Sequence, residues 1–147
     1  MVQTLGPWPF YIDPASTQPE TVLISPDWPE CHGSGSDSVA AALDAADSIE
    51  AAGFYRLSVG EALPEPSVAG PGAVLVDPTP YFAGKVALQA YLAEAGRGAK
   101  AKLAARLDGN RTLVNRAARL SGGKAISTDQ LTRVLRAAGL TARLDVA

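Results

Sequence analysis

Short runs of apolar and β-branched residues in the first half of the chain predict β-strands. Each run ends in turn residues or is followed by them, which is typical of strands in small sheets. The three runs are WPFYIDP (8–14), TVLIS (21–25) and AVLVD (73–77). Between the second and the last of these runs, the loop-like segment SPDWPECHGSGS (25–36) leaves room for a short strand around 31–33. We expect the first two strands to form a hairpin.

A helical pattern follows at SDSVAAALDAADSIEAAG (36–53). Ser36 or Asp37 can cap the exposed N–H groups of its first turn, and Gly53 is a natural stop. Apolar residues at helical spacing predict the inner face, which consists of Val39, Leu43, Ala46 and Ile49 or Glu50. Because of its prolines, segment 54–72 is expected to be mostly loop. The order β-β-β-α-β favours an antiparallel sheet with one face covered by a helix.

After residue 84 the pattern is helical. Helices are predicted over 85–96, 99–107, 111–120 and 127–139, the last with a capping box formed by Ser127 and Gln130. An apolar stripe is expected along the first of them, at Val86, Leu88, Tyr91, Leu92 and Ala95. We therefore predict an α+β protein with three parts, namely an N-terminal α/β domain over 1–77, a linker over 78–84 and an all-α domain over 85–147.

The charged residues are distributed unevenly along the chain, with acids in the first part and bases in the second. The protein has 147 residues and a formal charge of -2. Residues 1–83 contain one basic residue, Arg56, against eleven acids, which gives a formal charge of -10. Residues 84–147 carry twelve lysines and arginines against four acids, which gives +8. Such asymmetry indicates a part that faces nucleic acid and a part with a different partner. The alternative is surface charge that drifts along the chain without a functional reason.

Two short helices joined by a Gly-containing turn predict a helix-turn-helix in LAARLDGNRTLVNRAARL (103–120). The residues expected to face inward are Leu103, Ala104, Leu107, Val114 and Ala117. The turn Leu107-Asp108-Gly109 places its glycine one position later than the usual Leu-Gly turn and brings a carboxylate near the DNA phosphates. The alternative is an ordinary helical hairpin with a solvated basic face.

In this motif the N-terminal half of the second helix enters the major groove. Its outward side chains, which we expect to contact base edges, are Arg111, Thr112, Asn115 and Arg116. Arg pairs with guanine and Asn with adenine, each pair being worth about 1–3 kcal/mol of discrimination. The flanking cations expected to contact phosphates are Lys100, Lys102, Arg106, Arg119 and Lys124.

The sequence predicts no catalytic residue, metal ligand or cofactor. His32 is the sole histidine and Cys31 the sole cysteine, so neither a Ser-His-Asp arrangement nor a Cys/His metal spacing is supported. A nuclease that binds Mg²⁺ through carboxylates is the enzyme alternative, but the acids are scattered. No apolar run approaches the roughly 20 residues of a membrane span. The N-terminus does not resemble a signal peptide, so a cytoplasmic location is expected.

The chain resembles the HicB antitoxins over nearly all of its length. SPDWPECHGSGS matches the family's fPDlPgc-x-x-x-G-ds pattern at Pro26, Asp27, Pro29, Cys31 and Gly35, and the Ala-rich acidic segment AAALDAAD follows it. LPEPS (63–67) is close to the family's iPePs. VLVDPTPYFAGKVALQAYL is similar to the strand, linker and first helix of members with a helix-turn-helix tail. Residues 49–62 depart from the family's usual helical continuation.

The resemblance implies an N-terminal module of a degenerate, non-catalytic ribonuclease H type that binds a HicA-like toxin, a small basic protein that cleaves mRNA. It also implies repression of the antitoxin's own operon through operator DNA, usually as a homodimer or higher oligomer. An acidic module complements a basic toxin. For the toxin-binding surface we expect Asp27, Trp28, Pro29, Asp44 and Asp47, with Trp28 alternatively a core residue. A stand-alone transcription regulator whose N-terminal domain senses a small ligand is the remaining alternative.

Overall fold

The computed structural model describes residues 5–17, 19–120 and 126–140. The described chain has the predicted α+β fold, in which strands precede a run of helices. The strands are β1 (Trp8–Ile12), β2 (Thr21–Ile24), β3 (His32–Gly35) and β4 (Val74–Val76). The helices are α1 (Ser38–Ser58), α2 (Pro80–Ala95), α3 (Ala99–Ala105), α4 (Arg111–Ala118) and α5 (Thr128–Ala137). The chain separates into an N-terminal unit over 1–79 and a C-terminal unit over 80–147.

The four strands form one antiparallel sheet in the order β3-β2-β1-β4. The predicted β1–β2 hairpin is confirmed, with Tyr11 opposite Ile24. β4 pairs with the other side of β1, so that Trp8 lies opposite Val76. The large side chains buried in this unit are Trp8, Phe10, Leu23, Trp28, Ile49 and Val76. Trp8 and Trp28 meet edge to face, with ring centres 5.3 Å apart.

Helix α1 packs directly against the backbone of β3. A Cβ atom added to Gly33 would come within 2.5 Å of the Ala45 nitrogen, and one added to Gly35 would come within 2.6 Å of the Ala40 Cβ. Real Cβ atoms do not approach other atoms so closely, so glycine is required at both positions. The Gly-Ser-Gly run and the alanines of α1 therefore belong to one close contact between strand and helix.

The close contact places a different face of α1 inward from the predicted one. The buried residues are Ala41, Ala45, Ile49 and Gly53. Val39 is 71% exposed and Leu43 is 68% exposed, so the predicted inner face is wrong at both positions. The physical reason is that β3 carries glycines where it meets the helix, and only small side chains fit against it. Of the predicted set, Ile49 alone is fully buried, while Ala46 and Glu50 are half-buried.

Helix α1 also extends beyond its predicted stop. Gly53 is buried within the helix, which continues to Ser58. Val59 is the C-cap, and Gly60 follows with a positive φ of 78°. The predicted stop at Gly53 is therefore wrong, because this glycine is needed for packing and not for a left-handed turn.

The loop between α1 and β4 is bound to strand β1 and to the loop between β2 and β3 by three hydrogen-bonded contacts. The Trp8 Nε1 donates to the carbonyl of Pro64 at 2.9 Å. Ser67 donates through both its backbone N–H and its hydroxyl to the Asp27 carboxylate, each at 3.0 Å. The Gly70 N–H donates to the Tyr11 hydroxyl at 2.9 Å. The PDWP and LPEPS motifs, which are distant in sequence, are thus joined through Asp27.

In the C-terminal unit, α2 begins earlier than predicted, at Pro80. Proline suits the first turn of a helix because its missing N–H would have no intrahelical partner there. Tyr81, Phe82 and Gly84 are buried, so the predicted linker over 78–84 is wrong for its last five residues. Of the predicted stripe, Leu88 and Leu92 are buried, Val86 and Tyr91 are half-buried and Ala95 is exposed. Among the described residues, no helix is long and apolar enough to cross a membrane.

Candidate nucleic-acid interface

Helices α3 and α4 pack against each other across a five-residue turn, 106–110. The side chains predicted to hold the two helices together are all buried, with exposures between 0% and 8%, and are Leu103, Ala104, Leu107, Val114 and Ala117. This part of the helix-turn-helix prediction is confirmed. The turn is two residues longer than the one left between the helices predicted over 99–107 and 111–120, because α3 ends at Ala105.

The turn uses two consecutive residues with left-handed backbone. Asp108 has a φ of 55° and Gly109 a φ of 76°. The Gly109 N–H donates to the carbonyl of Ala104 at 2.8 Å, which is the contact that closes a helix C-terminus in the Schellman arrangement. Among L residues, Asp and Asn tolerate left-handed backbone better than most. Gly109 comes one position later than the glycine of the usual Leu-Gly turn because this turn has two consecutive left-handed residues, Asp108 and Gly109.

Asn110 starts helix α4 as the sequence predicts. Its side-chain oxygen accepts a hydrogen bond from the Leu113 N–H at 3.0 Å. Asn at this position satisfies one of the free N–H groups of the first turn. The direction of the exposed residues that follow is thus fixed from the first turn of the helix.

One face of α4 is exposed and polar. It carries the four residues predicted to contact base edges, Arg111, Thr112, Asn115 and Arg116, which are all exposed. We call this set the α4 quartet. Its members occupy positions i, i+1, i+4 and i+5 of the helix and hence one side of it. The opposite side of α4 is buried through Leu113, Val114, Ala117 and Ala118.

The predicted phosphate-contacting cations differ in how free their charges are. Lys100 and Lys102 are exposed on α3, and Arg119 is exposed at the end of α4. The Arg106 guanidinium instead donates to the carbonyl of Ala137 at 2.9 Å, at the last turn of α5. This hydrogen bond gives Arg106 a structural role at the end of α5. Lys124 lies outside the described residues.

A cavity of about 240 Å³ brings Lys100 of the phosphate-contacting set together with Arg111 of the α4 quartet. It lies between the end of α2 and the starts of α3 and α4, and its lining comprises Leu92, Gly96, Gly98, Ala99, Lys100, Ala101 and Arg111. Lys100 and Arg111 are 11 positions apart in sequence but border the same concave surface. An anionic group at this position would meet two positive charges.

Lys85 is a functional candidate that the sequence reasoning missed. It is fully buried, and its Nζ donates to the carbonyl of Arg119 at 2.6 Å and to that of Arg116 at 3.5 Å. The Nζ also lies 5.4 Å from the centre of the Tyr81 ring. Burial, together with the charge of Arg119, lowers the pKa of Lys85 below its ordinary value. A cation at a helix C-terminus stabilises the helix, so α2 fixes the end of α4 that is opposite to the Asn110 cap.

The residues predicted to contact a toxin lie in different environments. Pro29 and Asp47 are exposed. Asp27 is half-buried and holds Ser67, while Asp44 accepts a hydrogen bond from the Ser34 N–H at 2.9 Å. Because β3 is an edge strand, this contact protects one of its outward N–H groups. The carboxylates of Asp27 and Asp44 therefore have structural roles.

The prediction of Trp28 as a surface contact is wrong. Its side chain is fully buried, and the Arg56 guanidinium lies 4.8 Å from the centre of its ring. Arg56 also forms two hydrogen bonds with the Glu30 carboxylate, at 2.6 and 2.9 Å. A large aromatic ring under a paired guanidinium is a core contact, which is the alternative that the sequence left open for Trp28.

The remaining candidates for chemistry in the N-terminal unit are separate from one another. The Cys31 thiol is buried, and burial raises its pKa, so the thiol stays protonated at neutral pH. His32 is exposed on β3. Within the described ranges, no three His, Cys, Asp or Glu side chains are grouped so that they could hold a metal ion.

Compared with models of known protein families, the chain matches none, and the comparison with curated proteins also finds no match. The HicB resemblance therefore stays a prediction from the quoted motifs.

Proposed function

We propose that the protein is an antitoxin of the HicB type, which acts in the cytoplasm, without catalysis, as a homodimer or higher oligomer. Its N-terminal unit binds and neutralises a small basic toxin that cleaves mRNA. Its C-terminal unit represses its own operon by binding operator DNA. The observation that carries the proposal is the α4 quartet, a set of exposed polar side chains on one side of a helix that is held by buried contacts.

The DNA-binding half of the proposal is supported by how α4 is positioned. A recognition helix must present its N-terminal residues to base edges at a fixed angle. Asn110 caps the start of α4 and Lys85 binds the carbonyls at its end. The inner face is held by side chains with little or no exposure. In the quartet, Arg116 suits guanine and Asn115 suits adenine.

The flanking cations supply the contacts that position the protein on DNA. Lys100 and Lys102 are exposed beside the quartet in sequence and share the α3–α4 pair with it. Phosphate contacts of this kind fix register but carry no sequence information. Lys100 and Arg111 border one cavity, so we expect Arg111 to contact a phosphate oxygen as well as a base.

The toxin-binding half of the proposal is supported by the charge of the N-terminal unit. Its one basic residue, Arg56, is already paired with Glu30. The other exposed acids of this unit, including Asp47, therefore have no lysine or arginine of the same unit left to neutralise them. A field of one sign accelerates association with a partner of the opposite sign and excludes partners of the same sign.

The contacts of the acids also support a non-catalytic role. Asp27 binds Ser67, Asp37 caps α1 and Asp44 binds the edge of β3. Glu50 accepts a hydrogen bond from the Thr79 hydroxyl at 2.6 Å. A nuclease of the carboxylate type needs several acids that converge on one metal ion, whereas each of these acids serves a different part of the fold.

The DNA-binding half is tested by titrating the protein with DNA from its own promoter and with a shuffled duplex of equal length. We expect tighter binding to the promoter, and a loss of about tenfold or more when Asn115 or Arg116 is replaced by Ala. The matched control is Arg133→Ala, which removes an exposed arginine from α5. Equal losses for Arg116→Ala and Arg133→Ala would show that total charge, and not base reading, controls binding.

A further inference from the structure

Helix α1 presents a narrow apolar and acidic line to solvent. It consists of Val39, Leu43 and Asp47, which follow one another at intervals of four residues, and we call it the α1 strip. Val39 is 71% exposed and Leu43 is 68% exposed, and Asp47 is also exposed. Residues four apart lie on the same side of a helix, one turn above the other, so the three form a continuous surface.

The exposure of the α1 strip is imposed by packing on the other side of the helix. Ala41 and Ala45 lie against the glycines of β3, where no larger side chain fits. A rotation that buried Val39 and Leu43 would remove these alanines from that contact. The helix therefore cannot hide its two larger apolar residues within its own unit, although large apolar residues at helical spacing usually mark a buried face.

Charge around the strip excludes some partners. Asp44 follows Leu43 directly in sequence, and Asp37, which caps the helix, lies two residues before Val39. The unit's only basic residue, Arg56, is bound to Glu30. If two copies met through this surface about a twofold axis, each strip would face an identical acidic strip, and like charges in opposition are unfavourable. A basic partner with apolar side chains fits the strip better than a second copy does.

We infer that the α1 strip is the surface on which the basic toxin docks, with Val39 and Leu43 in its apolar centre and Asp47 at its acidic rim. This inference rests on the proposed function, since it names the place where the proposed toxin binds. Of the residues predicted to contact the toxin it keeps Asp47, and it excludes Trp28, which is buried. A few desolvated residues near the centre of an interface carry most of its binding energy, and charges at the rim mainly affect rate and salt dependence.

The test uses the full chain, co-expressed with the product of a short reading frame adjacent to its own gene, which is where the proposed function places the toxin gene. Wild type is compared with the double variant Val39→Ser, Leu43→Ser and with the control Val68→Ser, which alters a loop residue that is 94% exposed. All three replaced side chains face solvent, so folding of the N-terminal unit should be preserved, and an unchanged circular dichroism spectrum and urea unfolding midpoint verify this. We expect the double variant to bind the partner at least about tenfold more weakly, and the control to bind it like wild type.

The possible failures are distinguishable. If wild type and the double variant bind the partner equally, the inference about the α1 strip is overturned while the antitoxin proposal stands. If wild type binds no partner, both are overturned. If wild type self-associates and the double variant does so much more weakly, the strip is a contact between copies of the chain, and the inference is overturned in that way.

Discussion

Asp108 is the residue at which fold and proposed function are in conflict. Its left-handed backbone, with a φ of 55°, suits the turn between α3 and α4, because Asp tolerates this region better than most residues do. Its carboxylate, however, is exposed three positions before Arg111 and hence beside the proposed DNA surface. A negative charge at that position opposes phosphate binding.

Replacing Asp108 with Asn should therefore strengthen DNA binding. Asn keeps the shape of the side chain and tolerates the same backbone, while the charge is removed. We expect the affinity for promoter DNA to rise by about 1.4- to fivefold at low salt, which corresponds to the roughly 0.2–1 kcal/mol of an exposed charge interaction. Fluorescence anisotropy of labelled DNA measures it. The control Asp129→Asn removes one charge from α5, and an equal gain there would contradict a local effect.

Gly33 is the residue that fixes the rotation of α1. Adding one methyl group in Gly33→Ala would force the strand and helix apart, because the new Cβ would collide with the backbone of Ala41 and Ala45. We expect a loss of about 1–3 kcal/mol in the free energy of unfolding, as for overpacked cores. Urea unfolding followed by circular dichroism measures it. Ser34→Ala, at the neighbouring position with the opposite orientation, should change stability little; similar losses in both variants would contradict the account.

At the scale of elements, Lys85 joins α2 to the end of α4. Its Nζ is buried on the carbonyls of Arg116 and Arg119. Lys85→Met would fill a similar volume but leave these carbonyls without their donor. We expect a loss of about 1–3 kcal/mol in the free energy of unfolding near neutral pH, which is the range for a buried group that loses its hydrogen bond. A variant that was as stable as wild type would contradict the capping role.

The pH dependence of the free energy of unfolding tests the burial of Lys85 in a second way. Burial lowers its pKa in the folded state below the ordinary 10.5, so the unfolded chain binds more protons between the two values. In that window, stability rises with pH, and this contribution is lost as the pH falls through the folded pKa. The free-energy difference between wild type and Lys85→Met should therefore shift in favour of wild type as the pH approaches 10.5. A difference that did not change with pH would contradict the lowered pKa.

The elements themselves were largely predictable, whereas the inner face of α1 and several helix ends were not. The caps Asn110 and Ser127 act through local hydrogen bonds, which short sequence patterns describe well. The inner face of α1 depends on glycines in a different element, which lie against Ala41 and Ala45. Its end also depends on tertiary packing, because Gly53 is buried. Such contacts between elements do not appear in the periodicity of one segment.

In the candidate site, too, features set by local sequence were predictable, and features set by contacts between distant segments were not. The exposure of the α4 quartet followed from helical spacing and is confirmed. The roles of Lys85 and Arg106 were missed because both side chains bind carbonyls of distant segments. A lysine amid the apolar residues of α2 was the one signal in the sequence that it is buried. For Trp28 the sequence left a toxin contact and a core position open, and the structure shows the core position.

At the scale of the whole molecule, the positive charge of the C-terminal unit predicts that DNA binding weakens as the salt concentration rises. Each phosphate contact that is lost reduces the slope of log K against log salt for DNA binding by about 0.9. We expect this change for Lys102→Ala, because Lys102 is exposed on α3. Arg106→Ala should change the slope less and lower stability instead, because its guanidinium binds the carbonyl of Ala137. A larger change in slope for Arg106→Ala than for Lys102→Ala would reverse these assignments.

The central claim is that one acidic and one basic unit serve two different partners, a toxin and an operator. The most direct measurement is RNA cleavage by the protein of the adjacent short reading frame, with and without an equimolar amount of the full chain. We predict that this protein copurifies with the chain, cleaves mRNA when separated from it, and is silenced when the chain is added back. If no complex forms, and the chain still binds its own promoter, the molecule is a transcription regulator and the antitoxin account is contradicted.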